Sequence, residues 1–264
     1  MSFLKNRTAI VSGAAQGLGE AFALRLAQAG ADVLAFDIQP KILEVARTID
    51  MDSPGKVIGL IADISKRSEV ERIISTVTRE LSPASILINN AGVWKETLVD
   101  SSWLQALDDW DYLIETNFKG LLMLSRACIP SMKEHKLGDI INISSYYVLP
   151  ARKSGTNPGN TDLYNASKWG INGFTDAWSK YLRDYNVRVN ALCMGATDTA
   201  MLRGLTEDGS LPAGLEGKVM QSSEIADLMI ELIKDGRTGE NIGAWVGEPV
   251  RLEEPRPAHK RITG

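Results

Sequence analysis

Short, almost entirely apolar runs alternate with stretches of helical periodicity along most of the chain. Apolar runs bounded by polar turns predict strands over residues 8–12, 32–36, 57–61, 86–88, 140–143, 187–192 and 242–246. Helical periodicity predicts helices over residues 20–29, 41–49, 69–81, 110–133 and 164–185. Strands without polar alternation are typical of a parallel sheet that helices cover on both faces. The pattern therefore predicts an α/β chain with a doubly wound parallel sheet in three layers.

The chain has 264 residues, of which 44% are hydrophobic and 23% are charged, as in an ordinary enzyme. Its net charge of -4 argues against nucleic acid as a partner, because phosphate binding relies on clustered Lys and Arg. Cys128 and Cys193 are the only cysteines, which predicts no disulfide framework and a reducing cytosol. His135 and His259 have no Cys or His at ligand spacing, so no metal site is predicted. A polar N-terminus and the lack of a membrane-spanning apolar run predict a cytoplasmic protein without membrane contact.

Three glycines, Gly13, Gly17 and Gly19, lie between the first predicted strand and the first predicted helix. Glycine lets the backbone turn tightly and approach a pyrophosphate, and the free N–H groups at the helix start face the anion. A glycine triplet alone is a weak signal, but the first strand-to-helix turn is the place where it binds dinucleotides. The loop therefore predicts a Rossmann-type single domain that binds a dinucleotide.

Asp37 follows the second predicted strand, where a carboxylate accepts hydrogen bonds from both ribose hydroxyls of NAD. The same carboxylate repels the 2′-phosphate of NADP, and neither Gln16 nor Ile38 supplies a cation to hold that phosphate. The alternative interpretation is an aspartate on the surface of an ordinary turn. We predict that the cofactor is NAD.

Tyr164 and Lys168 open a predicted helix, and their i, i+4 spacing puts the phenol and the ammonium on one face. A fixed positive charge favours the phenolate and lowers the pKa of a tyrosine, as a proton carrier working near neutrality requires. Alone, the pair has little meaning, because a solvated lysine beside an aromatic residue has the same spacing.

Together with further motifs, the pair makes the chain closely resemble the short-chain dehydrogenase/reductase family over about residues 8–246. Six motifs match in order and spacing: residues 12–19, Asp63-Ile64, Asn89-Asn90-Ala91-Gly92, Asn117, Ile143-Ser144-Ser145, and Tyr164 with Lys168. The resemblance implies an NAD-dependent alcohol dehydrogenase or carbonyl reductase, in which the cofactor does the hard chemistry and the protein positions it.

The resemblance also implies the role of each residue. Ser145 orients the substrate oxygen, Tyr164 transfers the proton, and Lys168 contacts the nicotinamide ribose and lowers the pKa of the tyrosine. Asn117 holds a water that passes the proton from Lys168 to solvent. The implied catalytic residues are therefore Asn117, Ser145, Tyr164 and Lys168. The implied cofactor-binding residues are Gly13, Gln16, Gly17, Leu18, Gly19, Asp37, Ile38, Asp63, Ile64, Asn90, Ala91, Gly92, Tyr164, Lys168, Gly195, Thr197 and Thr199.

Two pairs of residues have an alternative interpretation. Ser144 and Ser145 both end the fifth strand, and Ser145 is preferred as the catalytic one because the family's serine is normally the second. Asn89 and Asn90 either take part in the site or simply stabilise the strand end and its turn.

The chain departs from the family pattern in three places. Tyr164 follows Ser145 by 19 positions instead of a little over a dozen, so the loop over residues 152–161 is longer than usual. Arg152 and Lys153 in that loop either meet an anionic substrate group or are solvated. At the other two places this chain has Met194-Gly195 where the family usually has Pro-Gly, and Gly247-Glu248-Pro249 where the family often has Asp-Gly-Gly.

Apolar side chains at irregular spacing fill a predicted substrate loop over residues 196–222. They either form a small core of the loop itself or contact a hydrophobic, ring-shaped substrate. The residues predicted to contact the substrate are Trp94, Ser145, Tyr147, Tyr164 and Met201. No set of residues resembles a dedicated phosphate, sugar or acyl-carrier site.

We therefore predict an NAD(H)-dependent oxidoreductase that interconverts a secondary alcohol and a ketone of a small, hydrophobic or cyclic substrate. Two alternatives stay open: a dihydrodiol dehydrogenase on the same scaffold, and a catalytically silent regulator that binds NAD. The predicted catalytic domain spans residues 1–248, and residues 249–264 form an irregular tail. The resemblance further implies a homo-oligomer, a tetramer or a dimer, that associates through the two long helices.

Overall fold

The computed structural model describes residues 2–149 and 159–255. Within these residues, a seven-stranded parallel sheet has the strand order β3-β2-β1-β4-β5-β6-β7. The strands are β1 (Thr8–Ser12), β2 (Asp32–Asp37), β3 (Val57–Ile61), β4 (Ile86–Asn89), β5 (Gly138–Ser145), β6 (Val187–Met194) and β7 (Asn241–Ala244). The order reverses between β1 and β4, which makes the edge at their carboxyl ends the expected ligand site.

Helices cover both faces of the sheet. They are α1 (Gly17–Gln28), α2 (Ile42–Met51), α3 (Arg67–Glu80), α4 (Trp103–Ile114), α5 (Leu121–His135), α6 (Asp162–Leu182), α7 (Ala200–Arg203) and α8 (Ser222–Asp235). Neighbouring strand residues point to opposite faces, so Val11 of β1 packs in one core and Ile10 in the other. The first core takes side chains from α1, α2 and α8, and the second takes them from α3, α5 and α6. The predicted three-layer, doubly wound fold is confirmed.

The helix predicted over residues 110–133 is longer and is interrupted. It begins at Trp103, where the Ser102 hydroxyl accepts a hydrogen bond from the Gln105 backbone N–H at 3.3 Å. A π-helical turn, Glu115–Gly120, then separates α4 from α5. Such turns often occur at functional sites, and this one carries Asn117. Hydrophobic periodicity does not detect the beginning of α4, because its first residues are exposed rather than packed in the core.

Helix α8 has no counterpart among the predicted elements. Its apolar residues Ile225, Leu228, Met229, Leu232 and Ile233 recur at helical spacing and are buried. A capping box between Gln221 and Glu224 begins the helix, and Gly236 ends it with a positive φ of 84°. Both signals are present in the sequence, so this helix was predictable.

The described part of the predicted tail, residues 249–255, has no regular secondary structure. Val250 and Leu252 pack against the core that α1, α2 and α8 share. The Arg237 guanidinium donates a hydrogen bond to the Glu253 carbonyl at 2.8 Å. This part of the chain is therefore held against its own domain, and the division at residue 248 stays a prediction.

Candidate active site

A cleft of about 1250 Å³ opens along the carboxyl ends of the strands. Turns that follow all seven described strands contribute to its walls. Of the residues predicted for the site, those that line the cleft are Gly13, Gln16, Gly17, Leu18, Asp37, Ile38, Asp63, Ile64, Asn90, Ala91, Gly92, Trp94, Ser145, Tyr147, Tyr164, Lys168, Gly195, Thr197, Thr199 and Met201. Gly19 and Asn117 lie just behind the wall, so the structure brings nearly the whole predicted set together.

Two glycines of the loop leave no room for a side chain. Gly13 has a φ of +65°, and a Cβ atom there would lie 2.9 Å from the Cα atom of Ala91. A Cβ atom on Gly19 would lie only 2.0 Å from the Gly13 carbonyl oxygen. Gly19 therefore serves the close packing of the loop on α1, while Gly13 and Gly17 form the surface of the cleft.

The turn after β4 is tied to the glycine loop. The Asn90 amide donates to the carbonyls of Ser12 and Gly13, both at 3.0 Å. The Ser12 hydroxyl accepts from the backbone N–H groups of Asn90 and Ala91, both at 2.9 Å. Asn89 points away from the cleft and donates to Ser125 and Asn142, both at 2.8 Å. Asn89 is structural, whereas Asn90 both lines the cleft and stabilises the turn.

Asp37 ends β2 and is 8% exposed. One carboxylate oxygen accepts from the Ala15 backbone N–H at 3.0 Å, and the other accepts from the Gln39 backbone N–H at 2.9 Å. The carboxylate is thus fixed between the glycine loop and its own turn. Each carboxylate oxygen keeps a second lone pair that a ligand hydroxyl in the cleft can use.

Two hydroxyl groups meet at the floor of the cleft. The Tyr164 phenol and the Ser145 hydroxyl are hydrogen-bonded to each other. Lys168, one turn further along α6, is buried and donates from Nζ to the Ile143 carbonyl at 2.9 Å. Its Nζ lies 5.5 Å from the centre of the Tyr164 ring. Ser144 points elsewhere and donates to Asn172 Oδ1 at 2.8 Å, which leaves Ser145 as the serine beside the tyrosine.

Burial shifts the pKa values of Tyr164 and Lys168. It raises the pKa of Tyr164 to about 12, while the hydrogen bond with Ser145 acts in the opposite direction. Burial also lowers the pKa of Lys168 to about 8. The Tyr164 pKa therefore shifts in the opposite direction from the one that the positive charge of Lys168 was expected to cause. Removal of the phenol from water is the largest cause of the shift, and Lys168, whose ammonium donates to the Ile143 carbonyl, is not among the causes.

Asn117 lies on the π-helical turn and is buried. Its Oδ1 accepts from the Val93 backbone N–H at 2.7 Å, and its Nδ2 donates to the Val93 carbonyl at 2.8 Å. A Cβ atom on Gly92 would lie 3.3 Å from Asn117 Oδ1 and 3.8 Å from Lys168 Nζ. Asn117 therefore supports the backbone that passes between itself and Lys168, and the water relay implied for it stays a prediction.

Aromatic side chains form the other end of the cleft. The rings of Tyr146 and Tyr147 are 4.5 Å apart, and the Trp245 ring meets Tyr146 edge to face at 6.1 Å. The predicted residues Trp94 and Met201 also line the cleft. Trp245 was not predicted for the site, although it directly follows β7 and the carboxyl ends of the other strands carry the site. The same rule, applied to the last strand, would have found it.

The long loop before Tyr164 is anchored where it enters α6. The Thr97 backbone N–H donates to the Asn160 carbonyl at 2.8 Å, and the Thr97 hydroxyl donates to Asp162. Arg152 and Lys153, for which a substrate contact was considered, lie outside the described residues.

Residues 2–149 and 159–255 contain no group of three or more His, Cys, Asp or Glu side chains placed to hold a metal ion. None of their helices is both long enough and apolar enough to span a membrane.

Several known proteins are similar to this chain in sequence or in fold. A family model described as short chain dehydrogenase matches residues 7–210. A 3-oxoacyl-[acyl-carrier-protein] reductase of Thermotoga maritima is 32% identical over 249 residues, which cover 91% of this chain and 96% of that protein. An uncharacterized oxidoreductase of Staphylococcus aureus is 33% identical over 202 residues, with coverage of 76% and 82%. A short-chain type dehydrogenase/reductase from Mycobacterium marinum has the same fold, with a TM-score of 0.81, 24% identity and coverage of 92% and 95%.

The family match includes the glycine loop, the Asn90 turn and the Ser145, Tyr164 and Lys168 group. Members of this family use a nicotinamide cofactor and act on small-molecule substrates. The chain is an oxidoreductase, and it belongs to the short-chain dehydrogenase/reductase family.

Proposed function

We propose that this protein is an NAD(H)-dependent oxidoreductase that interconverts a secondary alcohol and a ketone of a small, hydrophobic or cyclic substrate. The observation that carries the proposal is the hydrogen bond between the half-buried Tyr164 phenol and the buried Ser145 hydroxyl in the cleft, with Lys168 one turn away. A phenol held in this way can give a proton to a substrate oxygen or take one from it.

The cleft fits a dinucleotide. The glycine loop brings its backbone to the cleft at the positively charged end of α1, and its two positive-φ glycines, Gly13 and Gly17, form part of the cleft surface. When bound, the nicotinamide cofactor supplies the two-electron chemistry of the reaction. The residues that would hold it are Gly13 and Gly17 at the phosphates, Asp37 at the ribose, and Lys168 near the nicotinamide ribose.

The remaining steps belong to the chain's own residues. Ser145 donates a hydrogen bond to the substrate oxygen and orients it beside Tyr164. Tyr164 transfers its phenolic proton to that oxygen in reduction and accepts a proton from it in oxidation. Lys168 provides a positive charge that stabilises the phenolate left behind. The apolar surroundings exclude water from the reacting atoms and strengthen these interactions.

The aromatic end of the cleft supports a hydrophobic or cyclic substrate. Trp94, Tyr146, Tyr147 and Trp245 present ring surfaces, and Leu202, Leu205 and Leu215 of the predicted substrate loop line the same cleft. Aromatic pairs of this kind favour contact with flat or apolar groups. A 3-oxoacyl thioester, the substrate group named for the Thermotoga maritima relative, is also a ketone and belongs in the test panel.

Assay of the purified protein with NAD, NADP and a panel of secondary alcohols and ketones tests the reaction. Turnover of cyclic alcohols with NAD supports the proposal, and formation of a catechol from a dihydrodiol supports the alternative dehydrogenase. A protein that binds NAD but turns over no member of the panel would be the silent regulator instead.

The cofactor preference should depend on Asp37. We expect Asp37→Asn to raise the KM for NAD by about 10-fold to 100-fold and to reduce discrimination against NADP, because charged hydrogen bonds are worth about 1.5–3 kcal/mol. Initial rates with both cofactors measure the change. Asp32→Asn is the matched control, because Asp32 lies at the other end of β2 and also accepts a backbone hydrogen bond, from Lys56 at 2.9 Å. An unchanged NAD preference in Asp37→Asn would contradict the assignment.

The two reaction directions should respond differently to pH. With the pKa of Tyr164 raised to about 12, the phenol is protonated at neutral pH and is ready to donate. Alcohol oxidation needs the phenolate, so its rate should increase with pH. Ketone reduction should fall above about pH 8, where Lys168, whose pKa is lowered to about 8, loses its charge. Measured pH–rate profiles that are flat in both directions would contradict these roles.

We also propose a cytoplasmic homo-oligomer, a dimer or a tetramer. Helices α4 and α6 expose large apolar side chains, among them Trp103, Leu104 and Trp169. Exposed apolar groups of this size favour association. Sedimentation of the purified protein measures the oligomeric state.

A further inference from the structure

Asn172 connects helix α6 to three other parts of the fold beneath the candidate active site. It lies one turn after Lys168 and is 6% exposed. Its Oδ1 accepts from the Ser144 hydroxyl at 2.8 Å and from the Cys193 thiol at 3.6 Å. Its Nδ2 donates to the Val148 carbonyl at 3.4 Å. One amide therefore joins α6 to the ends of β5 and β6 and to the turn that follows β5.

Two of these contacts, with Ser144 and Val148, lie on either side of Ser145 in the chain. Ser144 precedes it, and fixing the Ser144 hydroxyl to α6 sets the distance between the end of β5 and that helix. Val148 ends a 3-10 turn, Tyr146–Val148, which the Ser145 hydroxyl caps by accepting from the Tyr147 backbone N–H at 3.3 Å. Asn172 thus holds the backbone before and after Ser145 against the helix that carries Tyr164.

Only an amide of this length satisfies all three contacts. The Oδ1 atom must accept from the hydroxyl and the thiol, while the Nδ2 atom must donate to a carbonyl. An aspartate keeps the acceptor but loses the donor, and a leucine loses both. The site therefore selects the residue type by chemistry as well as by volume.

We infer that Asn172 is a positioning residue for Ser145: it keeps the serine hydroxyl at hydrogen-bonding distance from the Tyr164 phenol. The inference depends on the proposed function, in which this pair of hydroxyls meets the substrate oxygen. Asn172 itself does not line the cleft, so its effect passes through Ser145.

Asn172→Leu should lower kcat by about 10-fold to 100-fold, because a displacement of about 1 Å at a reacting group has an effect of this size. The dissociation constant for NAD should stay the same, since the hydrogen-bond partners of the Asn172 side chain, Ser144, Cys193 and Val148, are not among the residues that would hold the cofactor. The midpoint of the pH profile for alcohol oxidation should move to higher pH, as in Ser145→Ala, because the Ser145 hydrogen bond lowers the pKa of Tyr164. Asn172→Asp, which retains the acceptor, should recover part of kcat.

Asn190→Leu is the matched control. Asn190 lies three residues before Cys193 on β6, is equally buried, and makes two hydrogen bonds to backbone, with Arg237 at 2.9 Å and Glu240 at 3.1 Å. Its loss should lower Tm without changing kcat per folded molecule or the pH midpoint. Equal effects of the two leucine variants on kcat and on the pH midpoint would show that Asn172 is merely structural and would overturn the inference.

Two further variants keep the test decisive if Asn172→Leu does not fold. Ser144→Ala removes the 2.8 Å contact with little change in volume and should lower kcat and move the pH midpoint in the same direction. Normal kinetics in both Ser144→Ala and Asn172→Asp would overturn the inference. Full activity of Ser145→Ala would instead contradict the proposed function, so the two failures are distinguishable.

Discussion

Tyr164→Phe lowers kcat by about 10³-fold while NADH still binds, because the variant loses the proton carrier but keeps the ring that packs beside Lys168. The phenol is the only group of Tyr164 that can exchange a proton with the substrate oxygen, and Ser145 cannot replace it because a serine hydroxyl is a far weaker acid. Stopped-flow or steady-state assays measure kcat, and a fluorescence titration measures NADH binding.

Tyr181→Phe is the matched control for this experiment. Tyr181 lies on the same helix, α6, but is 65% exposed and does not line the cleft. Its variant should keep the full kcat. A Tyr164→Phe enzyme that retains most of its activity would contradict the mechanism, whatever the substrate.

Asp139→Ala lowers the free energy of unfolding by about 3–5 kcal/mol, the loss typical of breaking a buried ion pair. The Asp139 carboxylate binds Arg7 at 2.9 Å and Arg188 at 2.6 Å, and its side chain is only 5% exposed. The variant leaves two poorly solvated guanidinium groups without their carboxylate. This cluster lies at the amino ends of β5 and β6, opposite the cleft, so kcat per folded molecule should stay unchanged. Urea unfolding followed by circular dichroism measures the difference.

Asp227→Ala provides the comparison for that loss. Asp227 also pairs with an arginine, Arg25 at 2.7 Å, but its side chain is 59% exposed. Exposed pairs contribute about 0–1 kcal/mol, so this variant should unfold near the wild-type urea concentration. Equal destabilisation by the two alanine substitutions would show that burial of the Asp139 cluster is not the source of its stability.

Local patterns in the sequence determined the fold and the half of the cleft that would hold the cofactor. The apolar strands, the glycine loop and Asp37 each have a meaning that depends on neighbours close in the chain, and the structure places them as expected. Helix α8 was equally predictable from the sequence, since its capping box and apolar spacing are local as well. The beginning of α4 was not predictable, because Trp103 and Leu104 are exposed apolar residues and do not follow the periodicity of a buried helix face.

Contacts between distant residues decided what the sequence left open. The choice of Ser145 over Ser144 follows from the partners of each hydroxyl, Tyr164 for one and Asn172 for the other. The direction of the Tyr164 pKa shift depends on the burial of the phenol. The i, i+4 spacing to Lys168 carries no information about that burial. The role of Asn172 likewise appears only when β5, β6 and α6 are packed together. The sequence by itself determined which elements form and which chemistry their ends carry, because those depend on neighbouring residues. Only the tertiary structure decided which side chains meet and how far they are buried from solvent, because both depend on residues far apart in the chain.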